Sequence, residues 1–207
     1  MYETFFEMQN TPFSKAVPSS ELYESPAMAD ALGRLAYTAD RQLFAVVTAD
    51  AGCGKSTLIR RFADSLPREE YLLLYLSDSK LTPRWFYKGM LDQLGIESRF
   101  YRGDAKRQLQ KEVEIIRGVQ KKKVVCILDE AHLLEKETIE EFRFLLNYRF
   151  DSMSPLALVL VGQTELWDKL RLQRYAAVRQ RIDIICVLPH LDRAETGKYI
   201  HAHLAYA

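Results

Sequence analysis

An apolar run, Leu43-Phe44-Ala45-Val46-Val47-Thr48, leads directly into Ala49-Asp50-Ala51-Gly52-Cys53-Gly54-Lys55-Ser56-Thr57. This order predicts a strand, a tight loop of small residues and a helix starting near Ser56. Small residues let a backbone wrap closely around an anion, and the N–H groups of the loop and helix start point at it. Lys55 brings a positive charge to the outer phosphates of a nucleoside triphosphate. The Ser56 hydroxyl is placed to ligate Mg²⁺. All nine residues from Ala49 to Thr57 are therefore candidate nucleotide contacts. The run departs from the usual G-x-x-x-x-G-K-[ST] pattern in one place, where Ala49 replaces the first glycine. Alanine tolerates positive φ less well than glycine, while Gly52 and Gly54 stand where the backbone must come closest.

The elements around this loop alternate. Ser25-Pro26 opens a helix that runs to about Arg41, with Ser as cap and Pro at the first helical position. Strands are predicted over 43–48, 71–76, 124–128, 156–161 and 182–188. Helices are predicted over 56–66, from Thr82-Pro83 to Gly95, over 105–120 and over 136–148, with shorter helical pieces from 165 to 179. Asp192 caps a last helix. The middle strands are continuous apolar runs, the pattern of strands covered on both faces. Strand–helix alternation with five strands gives an α/β fold with a parallel sheet flanked by helices.

Val124-Val125-Cys126-Ile127-Leu128 ends in Asp129-Glu130. The C-terminal ends of parallel strands line the ligand crevice, so this strand brings Asp129 beside the phosphate loop. Its carboxylate would hold Mg²⁺ together with Ser56, and Glu130 would act as general base on the attacking water. The next strand ends in Val161-Gly162-Gln163-Thr164, where the Gln163 amide is placed to sense the γ-phosphate. Arg179-Gln180-Arg181 precedes the fifth strand. One of its arginines, with Arg181 preferred to Arg179, is a candidate for reaching the nucleotide of a neighbouring subunit and stabilising transition-state charge. Asp129-Glu130-Ala131-His132 also spells the box of a helicase superfamily, but those enzymes need two motor domains and 207 residues accommodate one.

Charge and cysteine usage narrow the class. The net charge is +1, yet residues 98–123 carry nine Lys/Arg against three Asp/Glu, and residues 129–141 carry six acids against one Lys. Three cysteines, Cys53, Cys126 and Cys186, fit reduced thiols and a cytoplasmic location. No Cys/His cluster has metal-ligand spacing. Neither a secretory leader nor a membrane-spanning run is legible.

Loop, acidic strand end, strand-four sensor and pre-strand-five arginine follow in the order of the AAA+ ATPases, which residues 20–207 resemble. Tyr2-Glu3-Thr4-Phe5-Phe6, Pro12-Phe13-Ser14 and Leu22-Tyr23-Glu24-Ser25 are similar to the start of two groups. These are the A-component ATPases of the secretion pathway and the ATP-binding helper proteins of bacterial transposons. Leu145-Leu146-Asn147-Tyr148 and the run from Leu160 to Leu166 fit the same groups. The resemblance implies ATP and Mg²⁺ as ligands, with Leu22 and Tyr23 at the base; by residue chemistry alone, Phe13 and Tyr23 are equally core aromatics. It divides the chain into residues 1–25 packing near the nucleotide, an ATPase core over 26–190, and residues 191–207 as the start of a helical lid that is largely missing.

The resemblance further implies a homo-oligomer in the full-length protein that assembles on duplex DNA, contacts a transposase and regulates transposition. Arg99-Phe100-Tyr101-Arg102 with Lys106 and Arg107 is the candidate DNA contact. The alternatives are a secretion-pathway ATPase component working at the cell envelope, although no membrane segment is legible in this fragment, and an ATP-dependent scaffold with little turnover.

Overall fold

The computed structural model describes residues 2–78, 81–146 and 154–207. The elements run α1 (Tyr2–Phe5), α2 (Pro26–Arg41), β1 (Phe44–Ala49), α3 (Lys55–Ser65), β2 (Tyr71–Leu76), α4 (Pro83–Gln93), α5 (Arg102–Gly118), β3 (Lys123–Leu128), α6 (Lys136–Leu146), β4 (Ala157–Gly162), α7 (Glu165–Arg171), α8 (Ala176–Arg179), β5 (Ile184–Leu188) and α9 (Arg193–Tyr206). Element types match the sequence reading, with ends displaced by a few residues. The long helix starts at Arg102 rather than near Ala105, because Tyr101 in extended conformation begins it one turn earlier. Residues 1–25 hold the short α1 and a 3-10 turn at Ser19–Glu21. Asn147 and Tyr148 lie outside the described residues.

The five strands are parallel, in the order β2-β3-β4-β1-β5. Strand pleating sorts the side chains into two cores. Val46, Cys126, Leu128, Leu158 and Leu160 face one core with Phe86, Leu109, Phe142 and Leu170 from α4 to α7. Ala45, Val47, Val125, Ile127, Val159 and Val161 face the other, with Leu35 of α2 and Leu58 and Phe62 of α3. β1 and β4 are buried along their whole length.

β2 departs from expectation. Tyr71–Leu76 reads as a strand covered on both faces, but β2 is an edge strand and only Leu74 in it is fully buried. Its apolar run reflects cover from α4 on one side and partial cover on the other, and Tyr75 is left exposed.

The helix starts follow local chemistry. Ser25 accepts from Met28 N and Thr82 from Trp85 N, each with Pro in the first turn. Asp192 and Glu195 form a reciprocal capping box on α9.

Candidate nucleotide site

β1 ends at Ala49, and the chain turns through residues 50–54 into α3. Gly52 and Gly54 take φ of +83° and +88°, the left-handed region in which a side chain is strained. Ala49 does not: it is the last residue of β1, buried in the sheet. The missing first glycine therefore places no strain on the loop. No side chain caps the start of α3. Its backbone N–H groups and the positive end of its dipole are directed at the loop, the arrangement that receives a phosphate. Lys55 Nζ donates to the carbonyls of Ala49 and Asp50, each at 2.9 Å, and Ser56 is exposed.

The sheet order sets β4 between β1 and β3, so their C-terminal ends form one rim. Thr164 Oγ1, just past β4, donates to Asp50 Oδ1 of the loop. The next residue back, Gln163, directs its N–H at His132 Nδ1, 3.5 Å away, and His132 Nδ1 is 3.6 Å from Glu130 Oε2. Loop, β4 tip and β3 tip are thus in continuous contact. Lys55, Ser56, Asp129, Glu130 and Gln163 all lie along this rim.

Asp129 is held on two sides. Its Oδ1 accepts from Glu130 N at 2.8 Å and its Oδ2 from the Tyr75 hydroxyl at 2.8 Å. Tyr75 comes from β2, one strand over, and is not recognisable in sequence: nothing in a β-strand tyrosine announces a carboxylate partner. Burial, then the Asp129 contact, pushes the Tyr75 hydroxyl up to about 12. Glu130 has φ of +53°, a left-handed turn that follows the strand and re-aims the chain.

A cavity of about 750 Å³ opens beside the loop. Gly52, Cys53, Gly54, Ser56 and Thr57 line it, facing Leu22 and Tyr23. Lys55, Asp129, Glu130 and Gln163 are not in its wall; they stand at the rim where the strands end. The N-terminal segment is fixed over α3 by two arginines that sequence reasoning missed. Arg60 donates to the carbonyls of Lys15 and Val17, and Arg61 to those of Ser19 and Leu22 and to Glu24. Phe13 stacks on His203 where this segment meets α9, with Tyr199 edge-on to His203 and tilted against Phe13. Of the two options for the aromatics, Tyr23 and Phe13 both line the cavity rather than the buried core.

The remaining predicted residues lie elsewhere. Arg179 donates to the carbonyls of Leu170 and Arg171 at the end of α7. Arg181 lines a cleft with Asp40, Phe44 and Lys123 at the opposite, N-terminal end of the sheet. Both arginines are therefore remote from the loop of their own chain, and a role at a nucleotide requires a second copy. Among the basic residues from 99 to 107, Lys106 is bound to Glu141 and Arg107 to Asp104. Phe100 and Tyr101 are exposed, and the Arg84 guanidinium lies 4.3 Å from the centre of the Phe100 ring.

The residue set fits a magnesium nucleotide. Such an ion takes one or two carboxylates, a hydroxyl and phosphate oxygens rather than an all-protein cage. No group of three or more His, Cys, Asp or Glu among the described residues is arranged to hold a metal. No helix among them is long and apolar enough to cross a membrane.

A family profile described as an AAA domain matches residues 38–170. General secretion pathway protein A of Aeromonas hydrophila is 30% identical over 214 residues, which take in all of this chain and 38% of that protein. Cdc6p of Pyrobaculum aerophilum has a TM-score of 0.68 at 16% identity, over 93% of this chain and 52% of its own. The ORC2 protein of Aeropyrum pernix in its ADP form has a TM-score of 0.63 at 16% identity, over 98% and 56%. At such identities the two structures attest the fold. With the profile covering more than half its length, and a parallel sheet whose β1 runs into a glycine-containing loop and α3, this chain belongs to the AAA domain family and has the P-loop fold of the AAA+ ATPases.

Proposed function

We propose that the chain is the ATPase module of a secretion-pathway protein, which hydrolyses ATP with Mg²⁺ and couples the nucleotide state to a partner at the cell envelope. One observation carries the ATPase part: the phosphate loop, Asp129-Glu130 and Gln163 share one rim, joined through Thr164 and His132. Likeness along the entire chain to General secretion pathway protein A supports the secretion branch over the transposition branch.

Bound ATP with magnesium supplies the phosphoryl group that is transferred. Lys55 exchanges its two carbonyl partners for phosphate oxygens. Ser56 and Asp129 would hold the ion, and the loop N–H groups from Ala51 to Thr57 would cradle the phosphates. Glu130 takes the proton of the attacking water, and Gln163 orients that water. Leu22 and Tyr23 contact the base. Arg181 or Arg179 acts on the nucleotide of a neighbouring copy.

Glu130→Gln is expected to bind ATP and lose turnover by about 10²-fold or more; undiminished turnover removes Glu130 from the role of base. Lys55→Ala is expected to lose ATP binding in calorimetry, and retained tight binding would overturn the loop assignment.

The transposition reading keeps one supporting observation, the exposed Phe100 and Tyr101 with Arg84 and Arg99 beside them. Exposed aromatics among cations suit nucleic acid. Duplex binding that strengthens with ATP over ADP and weakens with salt favours it; binding indifferent to both excludes it.

A further inference from the structure

Three side chains from two segments line up beside the phosphate loop. Cys53 Sγ is 3.3 Å from His190 Nδ1, and His190 Nε2 is 3.1 Å from Asp50 Oδ2. Asp50 also accepts from Thr164, and this bond, followed by the one from His190, holds its carboxyl below the usual carboxylate range. An ionised Asp50 can only accept, so it fixes the proton of His190 on Nε2. Nδ1 is then left with a lone pair facing the thiol. His190 follows β5 directly and Cys53 lies between the two loop glycines, so β5 and the loop bring the groups together.

The other two thiols have no such setting. Cys126 is fully buried in β3 and burial pushes it up to about 12; Cys186 is buried in β5 and also raised. Cys53 is half-buried and opens on the cavity that holds Ser56 and Thr57. Lys15 and Arg60 stand in the same wall, with Tyr23, Tyr199 and His203 as its other titratable groups. The two cations favour an anionic reagent.

We propose that Cys53 is a site of reversible modification by small anionic disulfides, and that a group on its sulfur shuts the nucleotide site. His190 Nδ1 accepts the Sγ proton. The sulfur then attacks one sulfur of the disulfide R–S–S–R, and the Cys53–S–S–R bond forms as the original S–S bond breaks. The other half leaves as RS⁻ with the bonding pair and takes the proton from His190. The Cys53 sulfur is oxidised and the leaving sulfur is reduced, so the exchange balances without a further oxidant. A second thiol reverses it. The substituent then lies among Gly52, Gly54, Ser56 and Thr57, where the phosphates are bound in the proposed reading.

The test treats the intact chain with 5,5′-dithiobis(2-nitrobenzoate) at neutral pH and locates the label by peptide mass. Cys53 is expected to react at least about tenfold faster than the cysteines of the urea-denatured chain, with Cys126 and Cys186 unreactive until unfolding. His190→Gln, a change at an exposed side chain, is expected to remove that advantage while leaving the denatured rate as it was. Labelled chain is expected to lose ATP affinity by about tenfold or more and to regain it with dithiothreitol. Cys53 reacting no faster than in the denatured chain, a rate unaffected by His190→Gln, or full ATP affinity in labelled protein would each overturn the proposal. The rate measurements need no nucleotide. An unlabelled chain that fails to bind ATP therefore sinks the loop assignment by itself and leaves the thiol assignment to be decided by the rates.

Discussion

Tyr75 links a strand with no motif to the carboxylate on which the metal assignment depends. Its hydroxyl donates to Asp129 Oδ2, leaving Oδ1 on the Glu130 amide. Tyr75→Phe removes one hydrogen bond to a charged group, worth about 1.5–3 kcal/mol where buried and less at this half-exposed position. The expected result is folded protein whose ATP turnover needs several-fold more Mg²⁺; an unchanged Mg²⁺ requirement would show that Asp129 needs no such holding. The fold raises the Tyr75 hydroxyl from its ordinary value near 10 to about 12. A raised folded value means that the protonated form is favoured in the native state. The contribution is therefore complete below pH of about 10 and is lost as pH climbs towards 12. Ultraviolet titration of the folded protein should accordingly lose one late phenolate step in Tyr75→Phe. Glycine at 162 is set by close approach: a Cβ there would come within 3.0 Å of the His132 amide nitrogen and within 3.2 Å of Leu166.

That contact belongs to two elements at once, the tip of β4 and the turn that follows β3. Gly162→Ala must push the 131–133 turn away, at a cost of about 1–3 kcal/mol, and is expected to lower the melting temperature and to reduce turnover further by displacing Glu130. Unaltered turnover would mean that the turn yields without moving the carboxylate. The helices α4, α5 and α6 meet at Glu141, where Tyr87 donates at 2.7 Å, Lys106 at 3.0 Å, and Arg102 lies at 3.6 Å. Burial pushes this carboxyl up, but the two hydrogen bonds and the two cations outweigh it and hold it below its ordinary value. With a depressed folded value, its contribution is present above pH of about 4.5 and is lost as acid titrates it. Glu141→Ala is expected to cost about 3 kcal/mol in urea unfolding at neutral pH, a deficit that shrinks in acid. The strands and the loop were legible in sequence because local periodicity and small-residue spacing encode them. The edge position of β2 was not, since an apolar run reads alike at the edge or the centre of a sheet. Tyr75, His190 and the arginines 60 and 61 were illegible for a related reason: their partners are 37 to 140 residues away, and only the fold brings them together.

Across the whole molecule, one sheet sorts the parts by its two ends. The loop, the β3 and β4 tips and the 750 Å³ cavity occupy the C-terminal end. Arg181 and its cleft occupy the other. This polarity suits a chain whose copies stack with the arginine end of one against the nucleotide end of the next, in keeping with the proposed oligomer. All of the proposed chemistry depends on Lys55, Ser56 and Asp129 converging on one magnesium-bound triphosphate. A crystal structure of the chain with Mg²⁺ and a non-hydrolysable ATP analogue decides this directly. Ser56 Oγ is expected about 2.1 Å from the ion, with Asp129 bound to it directly or through one water, and Lys55 Nζ moved from the carbonyls of Ala49 and Asp50 to phosphate oxygens. A triphosphate seated elsewhere, with Lys55 still on those carbonyls and Asp129 remote from the metal, would refute the assignment.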